Sequence, residues 1–350
     1  RSEKGLPTGR PFCFNRTMIE PQLWHPVVAS HTLRDAPLAT TLLGQALVLW
    51  RDHGNVHAWL DRCPHRGARL SLGRVLTTVH GPRLECPYHG WQFEGGGRCQ
   101  HVPAAADFTP PAGHAATVFE AQERHGLVWV RLRPPEPSAS AFESLPAFEE
   151  ADAPDWRRVV CGPYTVATSA PRLVENFLDL SHFGFVHEGW LGERGHAQVQ
   201  TGEVREDAPG LQVRGARAWQ PRAYAGDTDG RWIDYTYTVP HPFAAVLRKD
   251  ASEGDPVRNA IALFIRPDGP ETCTAWFVMA TQHDTASSEE LVAFQDTVFA
   301  QDRPVVESQT PKALPIGRTA RVAEVHGPAD RVSSAYRRYL QRLGIALGTC

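Results

Sequence analysis

The sequence predicts an α+β protein in two parts: a small all-β unit, then an antiparallel sheet accompanied by a few helices. Three observations predict it. Strand-like runs at 42–60 and 126–132 are punctuated by turn residues. Four segments, RWIDYTYTV, FAAVLRK, AIALFIRP and CTAWFVMA, alternate with Gly, Pro and Asp turns across 200–280. Helical signals are confined to short stretches, the clearest opening at Ser287 and at Pro328.

At 350 residues the chain is long enough for two domains with their own cores. A hydrophobic fraction of 42% and a charged fraction of 21% are ordinary for a soluble globular protein. The net charge of −3 gives no electrostatic case for nucleic acid or an anionic membrane surface. No apolar run approaches the ~18 residues of a membrane span, and there is no signal-peptide pattern. The first residue is Arg1, which implies a trimmed N-terminus. The seven cysteines (13, 63, 86, 99, 161, 273 and 350) are odd in number and widely spread. That argues against a disulfide framework and for a reducing cytoplasm with a few functional thiolates.

Residues 1–40 hold an irregular start and then LWHPVVASHTL, where His25 reads as a packing or hydrogen-bonding residue. Leu42 to Trp50 and Val56 to Leu60 read as strands around the turn Asp52-His53-Gly54-Asn55. Then come CPHRGARLSLG and CPYHGWQFEGGGRC. Cys63 with His65, and Cys86 with His89, each put one sulfur and one nitrogen donor on a tight loop. Two such pairs suit a binuclear iron–sulfur cluster, thiolates on one iron and imidazoles on the other. A structural zinc site is the rival. Pro64, Gly67, Pro87 and Gly90 favour the cluster, because they shape loops whose amides can point at its sulfurs, and Trp91 and Phe93 can shield it. His53, His80 and His101 lack such partners, and Cys99 reads as a small buried residue. Residues 94–97 read as a hairpin turn, GLVWVRL as a strand and RPPEPSAS (133–140) as a linker.

The second half is organised around ENFLDLSHFGFVH, residues 175–187. Two imidazoles with nearby carboxylates suit a mononuclear iron site, and two unrelated histidines are the alternative. Asp179 and His182 share a helix face. His182 and His187 are five apart, about 140° out of line on a regular helix. They can meet on one ion only if the helix ends or bulges between them, which Gly184 makes cheap.

Cys63-Pro-His65-Arg66 with Cys86-Pro-Tyr-His89-Gly-Trp91 resembles the cluster motif of the Rieske non-haem iron oxygenases. The His65–Cys86 interval is a few residues longer than usual in that family, implying an insertion around Val75 to Pro82. Respiratory Rieske proteins carry an extra disulfide-forming cysteine in each loop, whereas Ala68 and Tyr88 are not cysteines, which favours the oxygenase branch. Asn176, Asp179, His182 and His187 match the family's N-x2-D-x2-H-x4-H iron motif.

The resemblance implies a Rieske [2Fe-2S] cluster on Cys63, His65, Cys86 and His89, and Fe(II) on His182 and His187. It implies Asn176 close to the iron, Asp179 bridging to a cluster histidine of a neighbouring subunit, and hence a head-to-tail homotrimer. It implies an N-terminal segment at 1–40, a Rieske domain at 41–134 and a catalytic domain at 135–350. In the latter a curved antiparallel sheet covered by helices would cup a small-molecule substrate. Trp190, Trp219, Trp232, Tyr235 and Trp276 are pocket candidates among which the sequence does not choose.

The third iron ligand is expected on the helix that begins with the capping box Ser287-Ser288-Glu289-Glu290. At about 100° per residue, Leu291, Val298, Phe299, Val305 and Val306 form one stripe with Asp302 at its centre. Asp296 points elsewhere. A carboxylate on a core-facing stripe is costly unless a metal compensates it, and QDRPVVESQ also resembles the family's third-ligand segment at Asp302. Pro304 is expected to kink the helix there. The arginines of 328–343 read as a solvated face, with a docking patch for an acidic carrier as the alternative.

The family reading makes O2 a co-substrate. With no convincing Gly-rich dinucleotide motif and no C-x4-C-x2-C cluster, NAD(P)H can act only through a separate reductase, with or without a ferredoxin. The short chain and the VVE after Asp302 look most like the demethylase and monooxygenase branch, with ring cis-dihydroxylation second. A Rieske electron carrier without oxygenase activity and a zinc-binding interaction protein are the readings from other classes.

Overall fold

The computed structural model describes residues 18–207, 210–221, 230–249, 257–317 and 322–350. Residues 1–17 of the irregular start, with Cys13, lie outside them. The first strands in chain order are β1 (His25–Ala29), β2 (Leu38–Leu42), β3 (Gln45–Asp52), β4 (Asn55–Leu60), β5 (Arg74–Thr78), β6 (Gly81–Glu85), β7 (Gln92–Phe93), β8 (Cys99–His101), β9 (Val118–Arg124) and β10 (Leu127–Arg131). They form a sheet in the order β1-β10-β9-β4-β3-β2 and a smaller one in the order β5-β6-β7-β8. The apolar run Leu42–Trp50 is not one strand. Leu43 and Gly44, both at positive φ, turn the chain from β2 into β3. The stretch Val75–Pro82, expected as an insertion, lies in the antiparallel hairpin β5–β6.

The rest of the chain supplies β11 (Arg157–Val166), α1 (Ala170–Leu178), α2 (Phe183–Val186), β12 (Gln200–Asp207), β13 (Gly210–Gln220), β14 (Arg231–His241), β15 (Ala244–Lys249), β16 (Arg258–Gly269), β17 (Thr272–Gln282), α3 (Ser288–Ser308) and α4 (Arg331–Leu343). Its strands form a seven-stranded antiparallel sheet, β11-β17-β16-β15-β14-β13-β12. All four alternating segments named above fall in it.

The strand β17 shows how this sheet organises the molecule. Successive side chains of a strand point to opposite faces. Cys273, Ala275, Phe277 and Met279 join the core shared with α1, α3 and α4. Trp276, Val278 and Ala280 join a second core with Trp24, Trp129 and Phe148. Burial on both faces explains why CTAWFVMA reads as an almost unbroken apolar run. Polar ties fasten the same junction: Trp24 Nε1 donates to the Glu143 carbonyl at 2.9 Å, and Arg266 reaches the Val27 carbonyl at 3.0 Å.

Two expectations are corrected. The Pro/Ser-rich 133–140 stretch is not a free linker, since a 3-10 turn over Pro137–Phe142 buries Ala139 and Phe142. The arginines of α4 are not one solvated face. Arg337 is buried and clasps Glu175 through two hydrogen bonds of 2.6 and 2.8 Å, while Arg338 and Arg342 both hold Glu206. Among the described residues no helix is long and apolar enough to cross a membrane.

His25 sits at the junction with its ring 6.2 Å from that of His241 and 5.8 Å from that of Phe243. Its Nε2 donates to the Glu20 carbonyl at 2.8 Å, and His241 Nδ1 accepts from the Phe243 amide at 3.1 Å. Burial holds His25 down to about 4 and His241 well below its ordinary value. Unfolded histidines protonate near 6.5, so between about pH 6.5 and 4 the unfolded chain binds more protons than the folded one. Stability should therefore fall as pH drops through that window, by up to roughly 3 kcal/mol from His25 alone. Urea denaturation at several pH values measures it, and a His25→Asn variant should show a shallower dependence. An unchanged slope would contradict a buried neutral His25.

Candidate metal centres and substrate pocket

The two Cys/His loops have the same local construction. The Cys63 amide donates to Ala68 O and the Gly67 amide to Cys63 O, at 2.7 and 2.9 Å. The Cys86 amide donates to Trp91 O and the Gly90 amide to Cys86 O, at 2.8 and 3.1 Å. Gly67 and Gly90 both close their loops at positive φ, which a side chain would strain. Cys63 and Cys86 are buried in a core with Trp59, Leu84 and Phe93, while His65 is half-buried and His89 exposed. The His65 and His89 rings are 4.7 Å apart, and Trp91 stacks on His65 at 4.4 Å. Sulfur donors inside and imidazole donors outside are what a two-iron cluster with one sulfur-held and one nitrogen-held iron requires. Burial pushes the Cys63 thiol up to about 12, although the His65 and Arg66 amides donate to its sulfur. A thiolate there needs a metal to stabilise it, so the residues fit the cluster.

The second centre forms where α1 stops. Its N-cap is Ser169, whose side chain accepts from the Arg172 amide, and it ends with Asp179 as C-cap. His182 and His187 then cap the two ends of the one-turn helix α2. The helix therefore ends between Asp179 and His182, and Gly184 lies inside the next turn rather than at a bulge. What Gly184 provides is close approach: a Cβ there would lie 2.9 Å from Glu193 O, and one on Gly192 would lie 2.6 Å from Gly184 N.

His182 Nε2, His187 Nε2 and Asp302 Oδ1 come together, with separations of 3.2 Å between the nitrogens and 3.4 and 3.2 Å to the oxygen. Among the described residues this is the group of His, Cys, Asp or Glu donors that could share one ion. The centre of such a triangle lies about 1.9 Å from each atom, close to the ~2.1 Å of an imidazole–metal bond, so the donors fit iron. His187 Nδ1 faces Gln301 Oε1 at 2.8 Å, which leaves Nε2 as the metal-facing lone pair. His182 Nδ1 lies 3.4 Å from Asp179 Oδ2, an ion-pair approach outside hydrogen-bond geometry. Asn176 Nδ2 donates to Asp302 Oδ1 at 3.3 Å.

The electrostatics follow from burial. Burial disfavours charge on His182, but Asp179 and Asp302 outweigh it and carry its pKa up to about 9. Burial alone would raise the Asp302 carboxyl, yet His182 and His187 hold it down to about 2. On α3 the capping box closes as expected, Ser287 to the Glu290 amide and back. The helix continues through Pro304 to Ser308. Asp302, Leu291, Val298, Phe299 and Val306 are buried, whereas Val305 is 44% exposed and Asp296 points away, accepting from the Tyr164 hydroxyl.

The triad opens into a cavity between α1, α3 and the large sheet. Leu173, Phe177, Leu263, Phe277 and Phe294 give it apolar walls, and Asn176, Gln220, Tyr235, Lys249 and Gln295 add polar points. Of the five aromatic candidates Tyr235 lines it, Trp190 packs on Phe294 at 5.7 Å, and Trp276 is in the junction core. The sequence reading missed Gln301, whose one signal is its place beside Asp302. It also missed Gln220, Lys249 and Gln295, which carry no local motif.

Residues 23–119 match the Rieske [2Fe-2S] domain, and residues 166–346 match the vanillate O-demethylase oxygenase C-terminal domain. The chain is 35% identical over 328 residues to the methylxanthine N1-demethylase NdmA of Pseudomonas putida, covering 91% of this chain and 88% of that one. It is 31% identical over 346 residues to the methylxanthine N3-demethylase NdmB of the same organism, covering 96% and 93%. A solved structure of NdmA with caffeine superposes with a TM-score of 0.77 at 33% identity, over 92% of this chain and 90% of that one. Fold and comparisons together define an oxidoreductase that joins a Rieske domain to an oxygenase domain. The chain belongs to the Rieske non-haem iron oxygenases, among the α subunits of the demethylase branch. That family carries a [2Fe-2S] cluster and iron and consumes O2.

Asp302→Ala should lose the mononuclear iron and leave the cluster's iron and acid-labile sulfide in place, read by metal analysis and the visible spectrum. Gln301→Leu should weaken Fe(II) binding by roughly 10–100-fold, measured by competition with a chelator. Wild-type affinity in that variant would remove the orienting role of Gln301.

Proposed function

We propose that this chain is the terminal oxygenase of a system that demethylates a small aromatic or heterocyclic N- or O-methyl compound. The observation that carries it is that the three converging donors line the same apolar cavity that would hold the substrate. The names of NdmA and NdmB, demethylases of methylxanthines, support an N-methyl heterocycle. The 41–134 unit would carry the cluster on Cys63, His65, Cys86 and His89, and the 135–350 unit the iron on His182, His187 and Asp302. When bound, these groups supply single electrons and O2 activation. Demethylation needs one O2, two electrons and two protons, and it yields formaldehyde, water and the demethylated compound.

The chain's own residues do the rest. Apolar walls exclude water and hold the methyl group beside the triad. Gln301 fixes the His187 tautomer, and Asn176 holds Asp302 Oδ1. Asp179 is 32% exposed and keeps one oxygen on the Ser181 amide at 2.7 Å. The other oxygen lies 3.4 Å from His182 Nδ1, and Asp179 lines a recess together with Ser181, Gln200 and Ser333. That leaves Asp179 reachable by a cluster histidine of a second subunit, and a cyclic homotrimer satisfies every such contact. Electrons would come from NAD(P)H through a separate reductase, with or without a ferredoxin.

Incubation with a surrogate reductase and a panel of methyl compounds should release formaldehyde in step with O2 uptake. A product gaining two oxygen and two hydrogen atoms would assign cis-dihydroxylation instead. Asp179→Ala should keep both metals but lose coupled turnover. Near-wild-type product formation in that variant would remove its bridging role.

A further inference from the structure

We propose that Tyr237 is the residue that positions Asp179 for electron transfer between subunits, acting through a single bound water in the recess the two residues share. The inference rests on the reading of Asp179 as the bridge to a neighbouring cluster histidine, and it names what holds that bridge from inside its own subunit. Tyr237 is on β14, in register with Val213 of β13 and Leu247 of β15. It is 1% exposed, with its ring 6.3 Å from that of Phe177, two residues before Asp179. Burial and then the Asp179 charge push its pKa above the usual tyrosine range, so the hydroxyl remains a proton donor. That buried hydroxyl finds no hydrogen-bond partner among the described residues. A buried hydroxyl forfeits a hydrogen bond on folding unless a water takes it.

The recess gives such a water a place and partners. It is lined by Tyr237, Asp179, Ser181, Gln200, Thr201 and Ser333, and its volume of about 10 Å³ is room for one molecule. The Asp179 carboxylate has about four lone-pair positions. The Ser181 amide takes one at 2.7 Å, and His182 Nδ1 faces another at 3.4 Å. A water shared with Tyr237 fills a third and leaves the fourth for the neighbouring subunit's imidazole. Asp179 follows the last residue of α1, so the helix does not fix its side chain. The water ties it to a strand of the large sheet instead.

The test joins a structure to a rate. A crystal structure of the iron-loaded protein, at a resolution that shows waters, should place one within hydrogen-bond distance of both Tyr237 Oη and an Asp179 carboxylate oxygen. Tyr237→Phe, which keeps the ring, should lose that water. In solution, one-electron pulse reduction of protein with both centres ferric puts the electron on the cluster. Recovery of the cluster's absorbance then reports its passage to the mononuclear iron. Tyr237→Phe should slow that recovery roughly tenfold, while iron content, the cluster's spectrum and its reduction potential stay as in wild type. Absence of the water from the wild-type structure, or recovery at the wild-type rate in Tyr237→Phe, overturns the proposal. The wild-type structure decides alone if the variant does not fold. Asp179→Ala separates the two readings. Wild-type recovery no faster than that of Asp179→Ala removes the bridge itself, whereas slow recovery in Asp179→Ala with unchanged recovery in Tyr237→Phe removes the role of Tyr237 alone.

Discussion

The site depends on one electrostatic conflict. Two imidazole nitrogens and a carboxylate oxygen, all largely buried, lie within 3.4 Å of one another. Two lone pairs pointing at each other across 3.2 Å repel unless a proton or a metal stands between them. The chain leaves only a cation as the remedy. It withdraws the second nitrogen of His187 by pairing it with Gln301, and it brings Asp302 in from a helix more than a hundred residues away. The raised pKa of His182 and the lowered one of Asp302 express the same demand in protons. A divalent ion meets it better, because it satisfies all three atoms at once.

Holding that conflict in place requires a scaffold that cannot slide. Glu175 directly precedes Asn176 on α1, and Arg337 of α4 clasps it. Arg172, one turn earlier on α1, holds Glu324 at 2.5 and 3.1 Å, and Glu324 returns to Arg337 at 2.6 Å. The two arginines also take the carbonyls of Pro311 and Pro315. Buried ion pairs contribute little net stability, because desolvation opposes their attraction. A closed ring of four has a different use. Any slip of α1 against α4 breaks several charge-assisted bonds together, so the ring fixes which way Asn176 and Asp179 face.

How much of this was legible depended on distance along the chain. The cluster loops and the Asn176–His187 stretch could be read because their candidate donors lie close together, at spacings that suit the chemistry. Asp302 could be read because a carboxylate at the centre of an apolar stripe is anomalous on its own. The capping box and the strands of the large sheet were legible for the same local reasons. Local pattern failed where tertiary contacts decide. Leu42–Trp50 looks continuous, yet its turn uses Leu43 at positive φ, which no propensity anticipates. Arg337 sits in an arginine-rich helix and looks solvated, and only its facing glutamates show otherwise. Phe142 ends a stretch that reads as linker until the core that takes it is assembled.

The same limit explains why the reaction was easier to read than the substrate. Most donors of the candidate metal centres are clustered in sequence, Asp302 excepted, whereas the pocket is assembled from α1, five strands' worth of sheet and α3. Gln220, Tyr235 and Lys249 are neighbours only because β13, β14 and β15 pair side by side, and Gln295 joins them from α3. A one-residue shift in any of those registers would turn each side chain to the opposite face, away from the cavity. Substrate preference is thus a property of strand register. It can change between relatives that keep every metal ligand, which is the expected behaviour of a fold whose function resides in its site.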